Sequence, residues 1–264
     1  MNTSRRTALV TGASSGIGFE LAKVLAREGL DLVLVARSGA PMHELADEVE
    51  ERYGVTATVL PKDLAKLEAA REVAFELDAR NLAIDVLVNS AGFSQYARFA
   101  SSDERHMLEL LQVNMVALTH LTRLIVPGMV DRGRGTIVNL ASNAAFQPGP
   151  LMACYYASKA YVLSFSVALA EELDGTGVTV TALCPGPFAS GFQARADMQD
   201  SKIVSGRSLR SAVDVAEWGW AQAKAGRPFA VNTPKWRAIA FATRFLPRSF
   251  AARWAMQAQE RVSE

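Results

Sequence analysis

The chain has 264 residues, half of them hydrophobic, and a formal net charge of +1. A charge so close to neutral provides no global attraction for nucleic acid. The two cysteines, Cys154 and Cys184, cannot form a disulfide framework, so a reducing cytoplasmic location is expected. No long apolar stretch follows Arg5 and Arg6, which predicts that there is no signal peptide, and no apolar run reaches the ~18 residues of a membrane span.

Strand-like and helix-like patterns alternate along the whole chain. The sequence predicts strands at residues 7–10, 32–35, 56–60, 85–88, 136–140, 178–183 and 229–232. It predicts helices that begin at residue 17 or cover residues 42–52, 64–82, 104–130 and 155–173. This alternation is typical of an α/β fold, a doubly wound, Rossmann-like parallel sheet of about seven strands with helices on both faces.

No linker divides the pattern, so residues 1–264 are interpreted as one domain. Within it, we expect a substrate-loop region at 187–211 and a C-terminal helical extension at 235–262. In parallel sheets of this kind, ligands bind beyond the carboxyl ends of the strands. The chemistry is therefore expected just after these strands.

A glycine-rich segment at residues 11–18 follows the first strand and opens a helix. Glycine permits tight turns and close approach to a phosphate, and the helix N-terminus attracts negative charge. We interpret it as a pyrophosphate site formed by Gly12, Ser14, Ser15, Gly16, Ile17 and Gly18. A tight turn without a ligand is the alternative interpretation.

The second strand ends in Arg37 and Ser38 instead of the acidic residue that is typical of NAD sites. An arginine there can hold the 2′-phosphate of NADP, so the sequence predicts NADP(H) as cofactor. A solvated surface arginine is the alternative. After the third strand, Asp63 is placed to accept from the adenine amino group or to cap a helix that begins at Leu64.

Four polar residues form the predicted catalytic group. Tyr155 and Lys159 lie one helical turn apart, and a nearby ammonium lowers the pKa of a phenol. Ser142 follows the fifth strand and is placed to donate to a substrate oxygen. Asn114 interrupts the apolar stripe of the long helix, where a water chain to Lys159 or a backbone defect would satisfy its amide.

Two further strand ends are predicted to contact the cofactor. Asn89, Ala91 and Gly92 close the fourth strand, where Asn89 can also tie adjacent strands together. The sixth strand is followed by residues expected to face the nicotinamide: Pro185, Gly186, Phe188 and Ser190.

Together these motifs, in this order over residues 5–232, resemble the short-chain dehydrogenase/reductase family. The resemblance implies Tyr155 as acid/base, Lys159 as its activator, Ser142 as substrate orienter and Asn114 as a proton-relay member. It implies hydride transfer between NADP(H) and a carbonyl or alcohol substrate in a homodimer or homotetramer. The similarity is greatest to reductases of ketoacyl and ketosteroid type.

Other functions fit the sequence less well. An α/β serine hydrolase needs a histidine after its serine, but His43, His106 and His120 all precede Ser142. Scattered cysteines and histidines do not provide a zinc site, so no metal is predicted. A non-enzymatic NADP(H)-binding sensor is the remaining alternative.

The C-terminal segment is basic and aromatic, and Pro247 is predicted to divide it into two short helices. Phe250, Trp254 and Ala258 share one face of the second helix. We expect this face to pack on its own subunit or on a symmetry mate, with some function as a lid. Lining the substrate entrance and contact with an anionic membrane surface are the two alternatives.

Overall fold

The computed structural model describes residues 5–189 and 210–259. A seven-stranded parallel sheet forms its centre, and the predicted fold class is confirmed. Its strands are β1 (Thr7–Thr11), β2 (Asp31–Ala36), β3 (Ala57–Pro61), β4 (Ile84–Asn89), β5 (Gly135–Leu140), β6 (Val178–Cys184) and β9 (Phe229–Val231). The order across the sheet is β3-β2-β1-β4-β5-β6-β9. Two short strands, β7 (Phe188–Ala189) and β8 (Arg210–Ser211), pair separately.

The order of strands reverses between β1 and β4, which lie side by side although two other strands separate them in the chain. Connections leave this point in opposite directions, so a crevice opens beyond the carboxyl ends of these strands. The central strands are buried on both faces, and β1 and β4 are buried at every residue. Continuous burial explains why the strands appear in the sequence as apolar runs.

Helices cover both faces of the sheet. The helices are α1 (Gly16–Arg27), α2 (Gly39–Tyr53), α3 (Ala69–Ala79), α4 (Glu104–Leu111), α5 (Leu118–Asp131), α6 (Ala153–Glu172), α7 (Ala212–Lys224), α8 (Pro234–Ala242) and α9 (Arg248–Gln259). One core packs α1, α2 and α7 on the sheet through residues such as Leu21, Leu45 and Trp220. A second packs α3 and α5 on the opposite face through Val73, Leu121 and Met129.

The long predicted helix is continuous, but residues Gln112–Ala117 between α4 and α5 are π-helical. In the described part of the chain, the run Glu104–Asp131 is long and apolar enough, by length and composition, to cross a membrane. Its side chains Leu121, Ile125 and Met129 lie in the core beneath the sheet. The run therefore has the packing of a core helix.

The structure differs from the predicted elements at two places. α3 begins at Ala69 instead of residue 64, because residues 64–68 form turns. The sequence analysis also did not predict α7, although the helix begins with a capping box. In this box, Ser211 Oγ accepts from Asp214 N, and the Asp214 carboxylate accepts from Ser211 N. The assignment of residues 187–211 to a substrate-loop region and of residues 235–262 to a C-terminal helical extension stays a prediction.

Candidate active site

A cavity of about 410 Å³ lies beyond the carboxyl ends of the central strands, as predicted. It brings together most of the predicted site residues: Gly12, Ser14, Ser15, Gly16, Ile17, Arg37, Ser38, Asp63, Leu64, Ala91, Gly92, Ser142, Tyr155, Lys159, Pro185, Gly186 and Phe188. Ser190 lies outside the described residues, as does most of the predicted substrate-loop region. One end of the cavity is formed by the glycine loop and the other by the catalytic group.

The glycine loop is held against the end of β4. Gly12 has φ +69°, and a Cβ there would lie 2.9 Å from the Ala91 backbone, so only glycine fits. Thr11 Oγ1 accepts from the backbone N–H groups of Ser90 (3.0 Å) and Ala91 (3.1 Å). These contacts join the two loops at the floor of the cavity, where the strand order reverses.

The residues at this end of the cavity fit a dinucleotide phosphate. Gly16 also has positive φ, and the position of its missing Cβ is open space. α1 begins at Gly16, and Ser15 at its N-cap makes no side-chain hydrogen bond to the helix. The first turn contains no acidic residue, so its N–H groups and dipole are available to an anion.

Arg37 and Ser38 lie at the mouth of the cavity, after β2. Both side chains are exposed. Among the described residues, Arg37 forms no ion pair or hydrogen bond that would compete with a ligand. A phosphate at this position would meet an unpaired guanidinium, which is suited to the 2′-phosphate of NADP.

Of the predicted cofactor residues, Gly18 and Asn89 lie outside the cavity lining, and Asp63 lies on it with an additional contact. Gly18 does not line the cavity; a Cβ there would lie 2.5 Å from Gly12 O, so it allows α1 to pack on the loop. Asp63 does line the cavity, but Oδ1 accepts from Ala65 N at 3.1 Å and closes a turn, because the helix begins later than predicted. Asn89 lies outside the lining, where its amide nitrogen donates to Thr122 Oγ1 and Asn139 Oδ1. It ties β4 to its neighbours, the alternative role that the sequence allowed.

Ser142, Tyr155 and Lys159 meet at the inner end of the cavity. Ser142 follows β5, and its Oγ accepts from Ala144 N at 3.1 Å, which starts a short 3₁₀ turn. The Ser142 side chain is also hydrogen-bonded to Tyr155. Lys159 Nζ is buried, donates to the carbonyl oxygen of Leu140 at 2.6 Å, and lies 5.8 Å from the ring centroid of Tyr155.

Burial governs the proton affinities of these groups. It raises the pKa of Tyr155 to about 12, and the hydrogen bond with Ser142 lowers it only in part. Burial also lowers the pKa of Lys159 to about 8. Desolvation therefore outweighs the groups that favour the phenolate in this structure, and the expected lowering of the tyrosine pKa by Lys159 stays a prediction.

Asn114 is buried in the π-helical segment, and its amide has partners. Its Oδ1 accepts from Phe93 N at 3.1 Å, and its Nδ2 donates to Phe93 O at 3.0 Å and to Ser158 Oγ at 3.1 Å. A Cβ on Gly92 would lie 3.0 Å from Asn114 Oδ1 and 3.6 Å from Lys159 Nζ. The asparagine thus holds the loop after β4 and borders the same glycine as Lys159, although it does not line the cavity.

The cavity includes residues that sequence reasoning did not single out. An apolar group lies around the inner end: Phe93, Val113, Ala144, Met152, Tyr156 and Pro187. Lys62 lies near Arg37 on the lining, where it forms an ion pair with Glu72 at 2.8 Å. Its position directly after β3 was a signal that could have identified it. The apolar residues come from separate loops and carry no local motif.

Comparisons with known proteins agree with this geometry. A family model described as short chain dehydrogenase matches residues 6–201. A very-long-chain 3-oxoacyl-CoA reductase from Anas platyrhynchos is 35% identical over 182 residues, which are 67% of this chain and 58% of that protein. The chain therefore spans little more than half the length of such curated relatives.

Solved structures are similar over nearly the whole chain. A short-chain dehydrogenase from Sphingobium yanoikuyae in complex with NADPH is 31% identical, with a TM-score of 0.81 over 91% of this chain and 94% of that one. A bulky-bulky ketone specific alcohol dehydrogenase from Comamonas testosteroni is 29% identical, with a TM-score of 0.78 over 91% and 92% of the two chains.

Proposed function

The chain belongs to the short-chain dehydrogenase family, and on that premise we propose that it is an NADP(H)-dependent reductase of an apolar ketone. Members of this family are oxidoreductases that use NAD(H) or NADP(H). The observation that carries the proposal is one cavity with the glycine loop and Arg37 at one end and Ser142, Tyr155 and Lys159 at the other.

The catalytic group is suited to moving one proton at the substrate oxygen. When bound, the nicotinamide supplies a hydride to the carbonyl carbon in reduction and accepts one in oxidation. Tyr155 donates its hydroxyl proton to the carbonyl oxygen, and Ser142 donates a hydrogen bond to the same oxygen. Because its pKa is about 12, Tyr155 carries this proton at neutral pH.

Lys159 supplies the positive charge of the catalytic group, next to the ring of Tyr155. Its pKa of about 8 leaves the ammonium mainly protonated at neutral pH. In this buried position, it stabilises the negative charge that proton transfer leaves on the Tyr155 oxygen. Asn114 positions the loop at Phe93, next to the same lysine.

The substrate is proposed to be an apolar ketone, such as a ketoacyl thioester or a bulky or steroid-like ketone. Phe93, Val113, Met152 and Tyr156 line the inner end of the cavity and favour an apolar group beside the reacting carbon. The names of the relatives, which refer to 3-oxoacyl-CoA and bulky ketones, support the same class. The free thiols of Cys154 and Cys184 are consistent with the proposed cytoplasmic location.

A turnover assay distinguishes this enzyme from a cofactor sensor. NADPH oxidation is measured with 3-oxoacyl thioesters of increasing chain length and with ketones of increasing bulk. We expect turnover that improves with the apolar size of the substrate. NADPH binding with no oxidation across the panel would favour the sensor.

The cofactor assignment has a separate test in Arg37→Asp. This change removes the partner for the 2′-phosphate and supplies a carboxylate for the ribose hydroxyls, so preference in kcat/KM should move toward NADH by at least about tenfold. Arg71→Asp, an exposed arginine on α3, is the matched control and should leave the preference unchanged. An unchanged NADPH/NADH ratio in Arg37→Asp would refute the assignment.

A further inference from the structure

The C-terminal helix pair, α8 and α9, packs with its small residues inward and its large residues outward. Ala240, Ala251 and Ala255 are buried against the body of the protein. Five large apolar side chains are instead exposed by 39–73%: Phe241, Phe245, Leu246, Phe250 and Trp254. We call these five residues the aromatic patch. Packing of Phe250 and Trp254 on their own subunit, one part of the expectation, is therefore wrong, because alanines occupy the inward face. The other part, packing on a symmetry mate, is tested below by light scattering.

The helix pair is also strongly basic. Residues 234–259 contain Lys235, Arg237, Arg244, Arg248 and Arg253 but no aspartate or glutamate. Arg244, Arg248 and Arg253 are exposed, and their guanidinium groups form no ion pair or hydrogen bond with any residue that the structure describes. These exposed cations therefore lie on the same helix pair and connecting turn as the aromatic patch.

Aromatic side chains exposed to this extent and grouped together are typical of an interaction surface. Aromatic and basic residues on short surface helices suit an anionic lipid surface, where the rings enter the headgroup boundary and the cations meet phosphates. A second copy of the chain fits less well, because symmetric pairing of this face would oppose its unpaired cations. We propose that the helix pair docks the protein on an anionic membrane surface.

The helix pair is attached to the walls of the cavity, so docking would orient the active site. Tyr96 Oη donates to the backbone oxygen of Gln259 at 2.7 Å, and Tyr96 packs against the buried cluster of Ala144, Met152 and Tyr156. At the other end, the indole of Trp236 occupies the space beside Gly186, directly against the cavity lining. Docking would thus hold the cavity close to the lipid, from which an apolar substrate could enter.

Sedimentation with lipid vesicles tests the proposal independently of the reaction. The full chain is mixed with phosphatidylglycerol vesicles or phosphatidylcholine vesicles at low and high salt. We expect binding to the anionic vesicles only, weakened by salt. Equal binding to both lipids, or to neither, would overturn the proposal.

Exposed positions allow variants that leave the fold intact. The double variant Phe245→Ser with Phe250→Ser should lower partition into anionic vesicles at least about tenfold. Phe75→Ser is the matched control, since Phe75 is 73% exposed on α3, the same fraction as Phe245. Arg244→Glu with Arg253→Glu should have an effect of similar size, and Arg71→Glu none.

Light scattering separates docking on lipid from contact between copies. Under the proposal, the Phe245→Ser and Phe250→Ser changes leave the molar mass of the protein in solution unchanged. A fall in molar mass in this variant, without vesicle binding by the parent chain, would assign the aromatic patch to a second copy instead.

Discussion

At the scale of single residues, desolvation at the inner end of the cavity favours the neutral form of both Tyr155 and Lys159. The pKa of the phenol is raised to about 12, and that of the ammonium is lowered to about 8. A tyrosine that keeps its proton is suited to the reductive direction, in which it must donate that proton. Burial of the charged ammonium of Lys159 lowers the stability of the folded protein.

Tyr155→Phe tests the proton donor. The change removes only the hydroxyl, so kcat for ketone reduction should fall at least ~10²-fold while NADPH binding is nearly unchanged. Stopped-flow turnover and fluorescence titration of NADPH measure the two quantities. Tyr161→Phe, on the same helix but bonded to Thr119, is the matched control and should retain its activity. A smaller fall in kcat would exclude Tyr155 as the general acid.

Lys159→Met tests the burial of the ammonium through pH. The pKa of Lys159 is 10.5 in the unfolded chain and about 8 in the folded protein, so the unfolded state binds more protons between these values. The charge therefore lowers stability by about 3 kcal/mol below pH 8, and this loss is recovered as pH rises toward 10.5. Wild type should gain stability relative to the variant over that range.

Urea unfolding of both proteins at a series of pH values measures this difference. The raised pKa values of Tyr155 and Cys184 lower the free energy of unfolding as pH rises, because the folded state keeps protons that the unfolded state has already released. These contributions are present in both proteins and largely cancel when the two are compared. A difference in unfolding free energy that is independent of pH would contradict the burial of a charged lysine.

At the scale of elements, the glycine loop and the first helix form one packed unit. α1 lies so close to the loop that Gly18 touches the carbonyl of Gly12, and Thr11 binds the loop after β4. The position of the helix N-terminus over the cavity depends on this contact. Gly18 therefore acts on the phosphate site through packing.

Gly18→Ala should loosen this unit. Its Cβ would lie 2.5 Å from a backbone oxygen, so helix or loop must shift, at a cost of ~1–3 kcal/mol in unfolding free energy, with weaker NADPH binding. Gly39→Ala at the start of α2 is the matched control, because its Cβ would lie 3.5 Å from the Pro61 side chain, an ordinary van der Waals contact. It should be neutral or stabilising by up to ~1 kcal/mol. Equal stability of the two variants in urea would contradict this account.

At the scale of the whole molecule, the outer faces of α4–α5 and α6 are apolar or small. Leu108, Val116 and Leu124 are exposed on the continuous helical segment from α4 to α5. The exposed surface of α6 includes Ala157, Ser164, Val167 and Ala168. A sheet covers only one side of each helix, so a symmetry mate would bury the other side.

We predict a homodimer or homotetramer through these helices. Val167→Arg would place a charge in the contact and should reduce the molar mass measured by light scattering. Val213→Arg, at an exposed valine on α7 across the sheet, is the matched control and should leave the mass unchanged. A monomeric parent protein at micromolar concentration would contradict the prediction.

Sequence patterns alone determined the sheet, the glycine loop and the placement of Arg37, Ser142, Tyr155 and Lys159 along one cavity. They did so because strand ends, helical spacing and glycine turns are local features, and parallel strands bring their carboxyl ends to one edge.

Only the tertiary structure decided which way a side chain faces and how far it is from water. It directed Asn89 into the sheet, raised the pKa of Tyr155 through burial, and turned Phe250 and Trp254 outward with alanines beneath them. The spacing of residues along a helix or strand defines its faces, but burial depends on the elements that pack against each face, which lie far away in the chain.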